Sequence, residues 1–283
     1  MFPLLEKQAL SNTITKYVLH APFIARKRKA GNFVIIRVDE TGERIPLTIV
    51  DGDAERGTIT LIVQSVGKTT MLLSQKKQGE ALLDVAGPLG NPTPVEYFGT
   101  VICIGGGVGT AEVYPIARAL KDAGNRVITI IGARSKDLLI LEDELRSFSN
   151  KLFVATEDGS AGIQGRVTDA LLSYTASNGH IGAVYAIGPI PMMKAVAEFT
   201  RPHHTPTFVS LNPLMMDGTG MCGACRVTIG GKMKFACVDG PEFDAHQVDF
   251  DELIARNRTY QDLEQLSRER FEHVRENPEC QMP

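Results

Sequence analysis

The stretch "GTVICIGGGVGTAEVYPIARALKDAGNRVITIIGAR", residues 99–134, decides the fold of this 283-residue chain. Two apolar runs rich in β-branched residues flank a glycine turn and an amphipathic segment. The segment 111–123 sets Val113, Ile116, Ala117 and Leu120 on one helical face, and Gly124 stops it. Strand, glycine turn, helix and strand in that order predict a unit of a parallel, doubly wound sheet. In such a turn the free N–H groups at the helix N-terminus favour a phosphate, and glycine lets the backbone come close. Gly105, Gly106, Gly107, Val108, Gly109 and Thr110 are therefore candidate dinucleotide contacts. The spacing departs from G-x-G-x-x-G, because Thr110 stands where the third glycine would be.

The rhythm continues downstream. "KLFVATED" (151–158) and "AVYAIGP" (183–189) read as further strands, and "GRVTDALLSYTA" (165–176) and "PMMKAVAEFT" (191–200) as further helices. The second strand ends in "GARSKD", not in a clear acidic residue. Arg134 and Ser135 can hold an adenosine ribose or a 2′-phosphate, or Arg134 can simply cap a strand end. Asp158 closes the next strand, and Gly188, Pro189 and Met192 form a second strand–helix turn that belongs on the ligand-binding edge of the sheet. An ordinary strand–helix loop with Pro at the first helical positions is the alternative to this reading of the second turn.

Residues 1–95 differ. "NFVIIRV" (32–38), "RIPLTIVD" (44–51) and "GTITLIVQSV" (57–66) are short strands bounded by Gly and Asp, and "GPLGNPTP" (87–94) is a turn-rich boundary. They predict a small antiparallel barrel. The basic run "ARKRKAG" (25–31) reads as a solvated loop beside a strand. The expected division is 1–95 barrel, 96–202 nucleotide-type domain, and 203–283 a small module ending in a charged helix.

Net charge is −3 and charged residues are 22% of the chain, which gives no support to nucleic-acid binding. No run approaches a membrane span, and Glu6 and Lys7 interrupt the N-terminal apolar residues, so a cytoplasmic protein is expected. In that compartment clustered cysteines read as metal ligands more readily than as disulfides. Of the five cysteines, Cys222, Cys225 and Cys237 are clustered; Cys103 sits in an apolar strand as a small hydrophobe, and Cys280 has no assigned role. Three thiolates can hold zinc or an iron–sulfur cluster. Zinc wants a second C-x-x-C or a paired histidine motif, and neither is present.

A barrel carrying "RIPLT" (44–48) and "VGKTT" (66–70), then "GPLG", then "GGGVG", resembles the ferredoxin–NADP reductase superfamily over about residues 1–200. The resemblance implies FAD on the barrel and NAD(P) on the second domain. Arg44, Gly67, Lys68, Thr69 and Thr70 would hold the FAD pyrophosphate. Pro46, Leu47 and Thr48 would pack on or bond to the isoalloxazine, with Ile49 and Val63 beside them, and Gly87 and Pro88 would face the nicotinamide. One branch of the superfamily, which includes the electron-transfer subunit of dihydroorotate dehydrogenase, ends in a 2Fe–2S module with C-x₄-C-x₂-C and a fourth cysteine. Here Asp217 falls at the first cysteine position, which implies the ligand set Asp217, Cys222, Cys225 and Cys237. A plain polar turn at "DGTG" is the alternative.

The string "DGTGMCGACRVTIGGKMKFACVDGPEFDAHQVDFDEL" (217–253) is similar to the small subunits of NADH-dependent reduced ferredoxin:NADP⁺ oxidoreductases, also called sulfide dehydrogenase subunits. That resemblance implies an oxidoreductase subunit moving electrons between NAD(H), FAD and a 2Fe–2S cluster. It also implies a larger FAD- and 4Fe–4S-containing partner in an electron-bifurcating heterodimer that serves ferredoxin and NADP(H). The chemistry is the cofactors' own, so no catalytic side chain is expected. Alternatives are a dihydroorotate dehydrogenase-type electron-transfer subunit, a stand-alone NAD(P)H sulfur or polysulfide reductase, and a zinc-stabilised binding module.

Overall fold

The computed structural model describes residues 1–176 and 180–276; Cys280 lies outside the described residues. Eight short strands build the N-terminal barrel: β1 (Phe2–Ala9), β2 (Ile14–His20), β3 (Phe33–Arg37), β4 (Ile45–Thr48), β5 (Asp51–Asp53), β6 (Thr58–Gln64), β7 (Ala81–Leu82) and β8 (Asp84–Leu89). They form two antiparallel sheets, ordered β5-β6-β2-β1-β7 and β4-β3-β8. Leu19, Val34, Ile36, Ile49, Ile59 and Leu61 fill the space between them. Alternation explains the register: in a half-buried strand every second side chain faces the core. The expected strand 44–51 breaks in two, because β4 stops at Thr48 and Ile49 and Val50 turn inward before β5 begins. The basic run 25–31 is not wholly a loop. Its first residues end helix α1 (Pro22–Lys27), and Arg28 pairs with Asp51 at 2.8 Å.

Helix α2 (Lys68–Gln75) starts where β6 ends. The hydroxyl of Thr70 accepts from the backbone N–H of Val66 and Gly67, 3.0 Å each, and so fixes the loop before the helix.

The second domain is the doubly wound sheet. Its elements are β9 (Thr100–Gly106), α3 (Gly109–Asp122), β10 (Arg126–Ala133), α4 (Glu142–Phe148), β11 (Lys151–Thr156), β12 (Ile163–Gln164), α5 (Val167–Thr175), β13 (Ala183–Ile187), α6 (Ile190–Thr200) and β14 (Thr207–Ser210). Val113, Ile116, Ala117 and Leu120 of α3 are all buried, as their spacing requires. The sheet order is β12-β11-β10-β9-β13-β14-β17, where β17 is Glu242–Asp244 from the last segment, with every pair parallel except β14–β17. Chain order reverses between β9 and β13, the position where open α/β sheets bind ligands.

The last segment holds β15 (Arg226–Ile229), β16 (Lys232–Phe235), α7 (Ala236–Asp239), β17 (Glu242–Asp244), α8 (Phe250–Asn257) and α9 (Gln261–Glu276). The sheet does not stop at residue 202. β14 extends it, and β17 returns from the cysteine segment to pair antiparallel with β14. The segment therefore shares one core with its neighbours: Met215, Cys225, Cys237 and Phe243 pack with Phe33 and Ile35 of β3 and with Ile104 of β9. α9 packs on α2 of the barrel.

Candidate functional site

The two glycine turns that stand apart in the sequence end the adjacent strands β9 and β13. Their glycines do different work. A Cβ on Gly109 would lie 2.5 Å from the carbonyl oxygen of Ile187, and one on Gly105 would lie 2.7 Å from Cα of Thr110. Those positions need glycine for helix–strand packing, and Thr110 is buried against the turn. Gly107 has φ +57° and nothing within 4 Å of its Cβ position. It presents open backbone at the start of α3, which suits an anion.

Above this turn lies a cavity of about 500 Å³, within the size range of small-molecule sites. Of the candidate dinucleotide contacts, Gly106, Gly107, Val108, Arg134, Pro189 and Met192 line it. Gly105, Gly109, Thr110, Ser135, Asp158, Gly188, Gly87 and Pro88 do not. The Asp158 carboxylate is held by the hydroxyl and N–H of Ser160, at 2.6 and 2.9 Å, which lower its pKa. Its neighbour Glu157 lines the cavity instead. Sequence reading also missed Arg166 and Thr168 at the head of α5, and Ile14 and Gln64 from the barrel. The strand–"GR"–helix pattern at 163–167 was the available signal for Arg166. Nothing local marks Ile14 or Gln64, which arrive only through domain packing.

The barrel offers a second, flatter surface. All four residues of β4 are half-buried, with Ile45 and Leu47 packed against the barrel core. Arg44 precedes them, its guanidinium 3.9 Å from Asp84 and half-exposed, so this ion pair contributes little. Gly67, before α2, opens onto empty space. These features fit a flat ring on β4 with a pyrophosphate between Arg44 and the head of α2. Four expected contacts are occupied otherwise: Thr69 donates to Glu43 at 3.0 Å, the Thr70 hydroxyl is tied to its own loop, and the Ile49 and Val63 side chains point into the barrel core.

The cysteine segment sits behind β3. Cys225 and Cys237 are buried, with Sγ atoms 3.2 Å apart; Cys222 is exposed. Two thiolates on one tetrahedral ion at about 2.3 Å would stand somewhat farther apart, near 4 Å. Burial first, then Cys225, pushes the Cys237 thiol up to about 12, so binding a metal here means losing protons. Asp217 accepts from the N–H of Thr219 at 2.9 Å and of Cys222 at 3.1 Å, which lower its pKa. The aspartate thus closes a polar turn onto Cys222, and it also acts electrostatically on Cys237. Among the described residues no three His, Cys, Asp or Glu side chains converge as on one metal ion. The donors stand as a thiol pair plus Cys222 and the carboxylate, in a loop whose Gly218, Gly220 and Gly223 all have positive φ. A two-iron cluster, which takes two protein ligands per iron, suits paired donors better than a single ion does. A Cβ on Gly218 would meet Ile35 and Leu89, so the loop lies directly against β3, the strand that pairs with β4, and against β8 beyond it.

Comparison with known proteins agrees with this geometry. A family model described as the iron–sulfur cluster binding domain of dihydroorotate dehydrogenase B matches residues 212–249, and one described as an oxidoreductase NAD-binding domain matches 103–198. A dihydroorotate dehydrogenase B electron transfer subunit homolog of Thermotoga maritima is 49% identical, over 95% of this chain and 94% of that one. The dihydroorotate dehydrogenase B (NAD(+)) electron transfer subunit of Bacillus caldolyticus is 36% identical, over 81% of this chain and 90% of that one. A chain solved in work on flavin-based electron bifurcation in an NADH-dependent reduced ferredoxin-NADP oxidoreductase superposes with a TM-score of 0.91 at 48% identity, covering 96% and 98%.

Proposed function

Because the chain belongs to the family of dihydroorotate dehydrogenase B electron transfer subunits and their homologues, we propose that it moves electrons between NAD(H), FAD and a 2Fe–2S cluster. They pass on to a larger flavin- and iron–sulfur-containing partner, in an electron-bifurcating complex that serves ferredoxin and NADP(H). It is an NAD(P)H-dependent oxidoreductase subunit with a flavin, a dinucleotide and an iron–sulfur centre. Among the described residues no helix is long and apolar enough to cross a membrane.

One observation carries the reading: the cysteine loop lies against β3, and β3 pairs with β4 in one sheet. Gly218 packs against the Ile35 side chain, and Ile35 pairs with Pro46. When bound, a flavin supplies the exchange between hydride and single-electron chemistry. This chain's residues then place it. Pro46, Leu47 and Thr48 give the ring its seat, Arg44 and the Gly67–Lys68 loop bind its phosphates, and the cavity over Gly107 directs a dinucleotide toward β4. Arg134 and Arg166 supply charge for that dinucleotide's phosphates. Cys222, Cys225, Cys237 and Asp217 supply the cluster's donors from the loop that packs on Ile35 of β3.

The bifurcating assignment, rather than a dihydroorotate-linked one, is favoured by the aspartate at 217 and by the 0.91 superposition over nearly the whole chain. Its test is anaerobic co-expression with candidate partner chains. A partner with its own flavin should co-purify, and NADPH oxidation should couple to simultaneous reduction of NAD⁺ and ferredoxin. A complex that instead oxidises dihydroorotate would replace this reading with the alternative.

A further inference from the structure

Two arginines reach the backbone between the cysteine donors. Arg226 opens β15, and its guanidinium donates to the carbonyl oxygen of Gly223 at 2.8 Å. Arg256 lies in the last turn of α8 and donates to the carbonyl oxygen of Ala224, at a longer 3.4 Å. Gly223 and Ala224 are the two residues between Cys222 and Cys225. The fold anchors both cations. Arg226 pairs across the hairpin with Phe235, and a Cβ on Gly223 would lie 3.3 Å from the Arg226 Nη1 and 3.6 Å from the Phe235 ring. Helix α8 starts on its Asp249 cap and buries Phe250 and Leu253 in the core that holds Cys225 and Cys237. It ends with Asn257 donating to the carbonyl oxygen of Asn212 at 3.2 Å.

We propose that Arg226 and Arg256 set the reduction potential of the iron–sulfur centre and hold it above the value its donors alone would give. The proposal rests on the four-donor cluster of the proposed function. Asp217, Cys222, Cys225 and Cys237 each bring a negative charge once deprotonated, and reduction adds one electron more. Two cations fixed beside that loop favour the reduced form over the oxidised one. Arginine stays protonated throughout, so the electron is the only particle added.

These charges are not cancelled locally. Neither guanidinium has a carboxylate partner among the described residues, whereas Arg28, Arg44, Arg56, Arg118, Arg146 and Arg268 each have one. Lys234 of the same hairpin is paired with Asp239 at 3.3 Å, so that pair adds little net charge. Charge and hydrogen bonding can also be separated. A peptide N–H points opposite its C=O, so each arginine fixes the direction of the N–H of Ala224 or Cys225 as well. Glutamine can keep that bond without the charge, and lysine can keep the charge. Arg226 is exposed and Arg256 half-buried, so salt should screen the first more strongly.

An anaerobic redox titration of the FAD- and iron-loaded chain, followed by EPR, tests this on wild type, Arg226→Gln, Arg226→Lys and Arg256→Gln. Each glutamine variant should keep about two irons and the wild-type line shape. Its ratio of reduced to oxidised cluster at a fixed poise should fall about three- to ten-fold; ten-fold equals about 59 mV for one electron. Arg226→Lys should stay near wild type, and the Arg226→Gln effect should shrink in about 1 M salt. If Arg256→Gln loses iron, Arg226→Gln carries the test. Glutamine variants that titrate like wild type overturn the proposal. So does a fall that Arg226→Lys shares, because the guanidinium would then act only by holding the loop. Wild-type protein that assembles no iron–sulfur centre removes the cluster itself, a failure distinct from these.

Discussion

Cys225 and Cys237 face each other with their Sγ atoms 3.2 Å apart and buried, although eleven residues separate them in sequence. The hairpin β15–β16 accounts for this, since Arg226 pairs with Phe235 and so returns the chain beside its start. Replacing either cysteine by serine should therefore abolish the cluster signal and most of the bound iron while leaving FAD in place. Asp217→Ala and Cys222→Ser act on the exposed side of the loop and should alter the reduced-state EPR signal with less loss of protein stability. Iron quantitation and EPR on the four variants check this.

Arg134 and Arg166 reach the dinucleotide cavity from two different strand ends. A hydrogen bond to a charged group contributes about 1.5–3 kcal/mol, so each Arg→Ala change should weaken NADH binding roughly 10- to 100-fold. Flavin content should not change. Titration of the FAD-loaded chain with a non-reducible NADH analogue measures this.

The glycines of the first turn should separate by role. Gly109→Ala places a methyl 2.5 Å from the Ile187 carbonyl oxygen. Overpacking of this kind costs about 1–3 kcal/mol, read as a fall in denaturant midpoint. Gly107→Ala meets open space, so beyond the modest strain of its positive φ it should spare folding and impair dinucleotide binding.

Glu242 gives stability a pH dependence of definite sign. Its folded-state pKa, about 7, lies above the usual 4.5, so the folded chain holds the proton more tightly than the unfolded chain. Stability should then fall as pH rises from 4.5 to 7, by about 3 kcal/mol at most from this group. Glu242→Gln should flatten the slope in that window. Urea unfolding at a series of pH values reads it directly.

Much of this was legible in the sequence where local pattern governs. α3 and its buried face follow from 3.6-residue spacing, and the switch-point turns follow from glycines after apolar strands. Cys103 is wholly buried, as its apolar strand implies. What was not legible arises from pairing across the chain. β17 joins the parallel sheet because β14 leaves an edge for it, and no motif in "EFD" announces that. Ile49 and Val63 were expected at a flavin, but alternation sends their side chains into the barrel core. Asp158 was expected at the nucleotide, but Ser160 occupies it and Glu157 takes the lining position. Glu242 accepts from the Thr93 hydroxyl across a sequence separation of 149 residues, a contact that only the folded chain creates.

Anaerobic purification of the chain, followed by FAD, iron and sulfide quantitation and EPR before and after NADH, addresses the central claim most directly. Expected are one FAD, about two irons and two sulfides per chain, and a 2Fe–2S signal that appears on adding NADH. Zinc in place of iron, or a flavin that NADH reduces without any cluster signal, would contradict an electron path from dinucleotide to cluster through this chain.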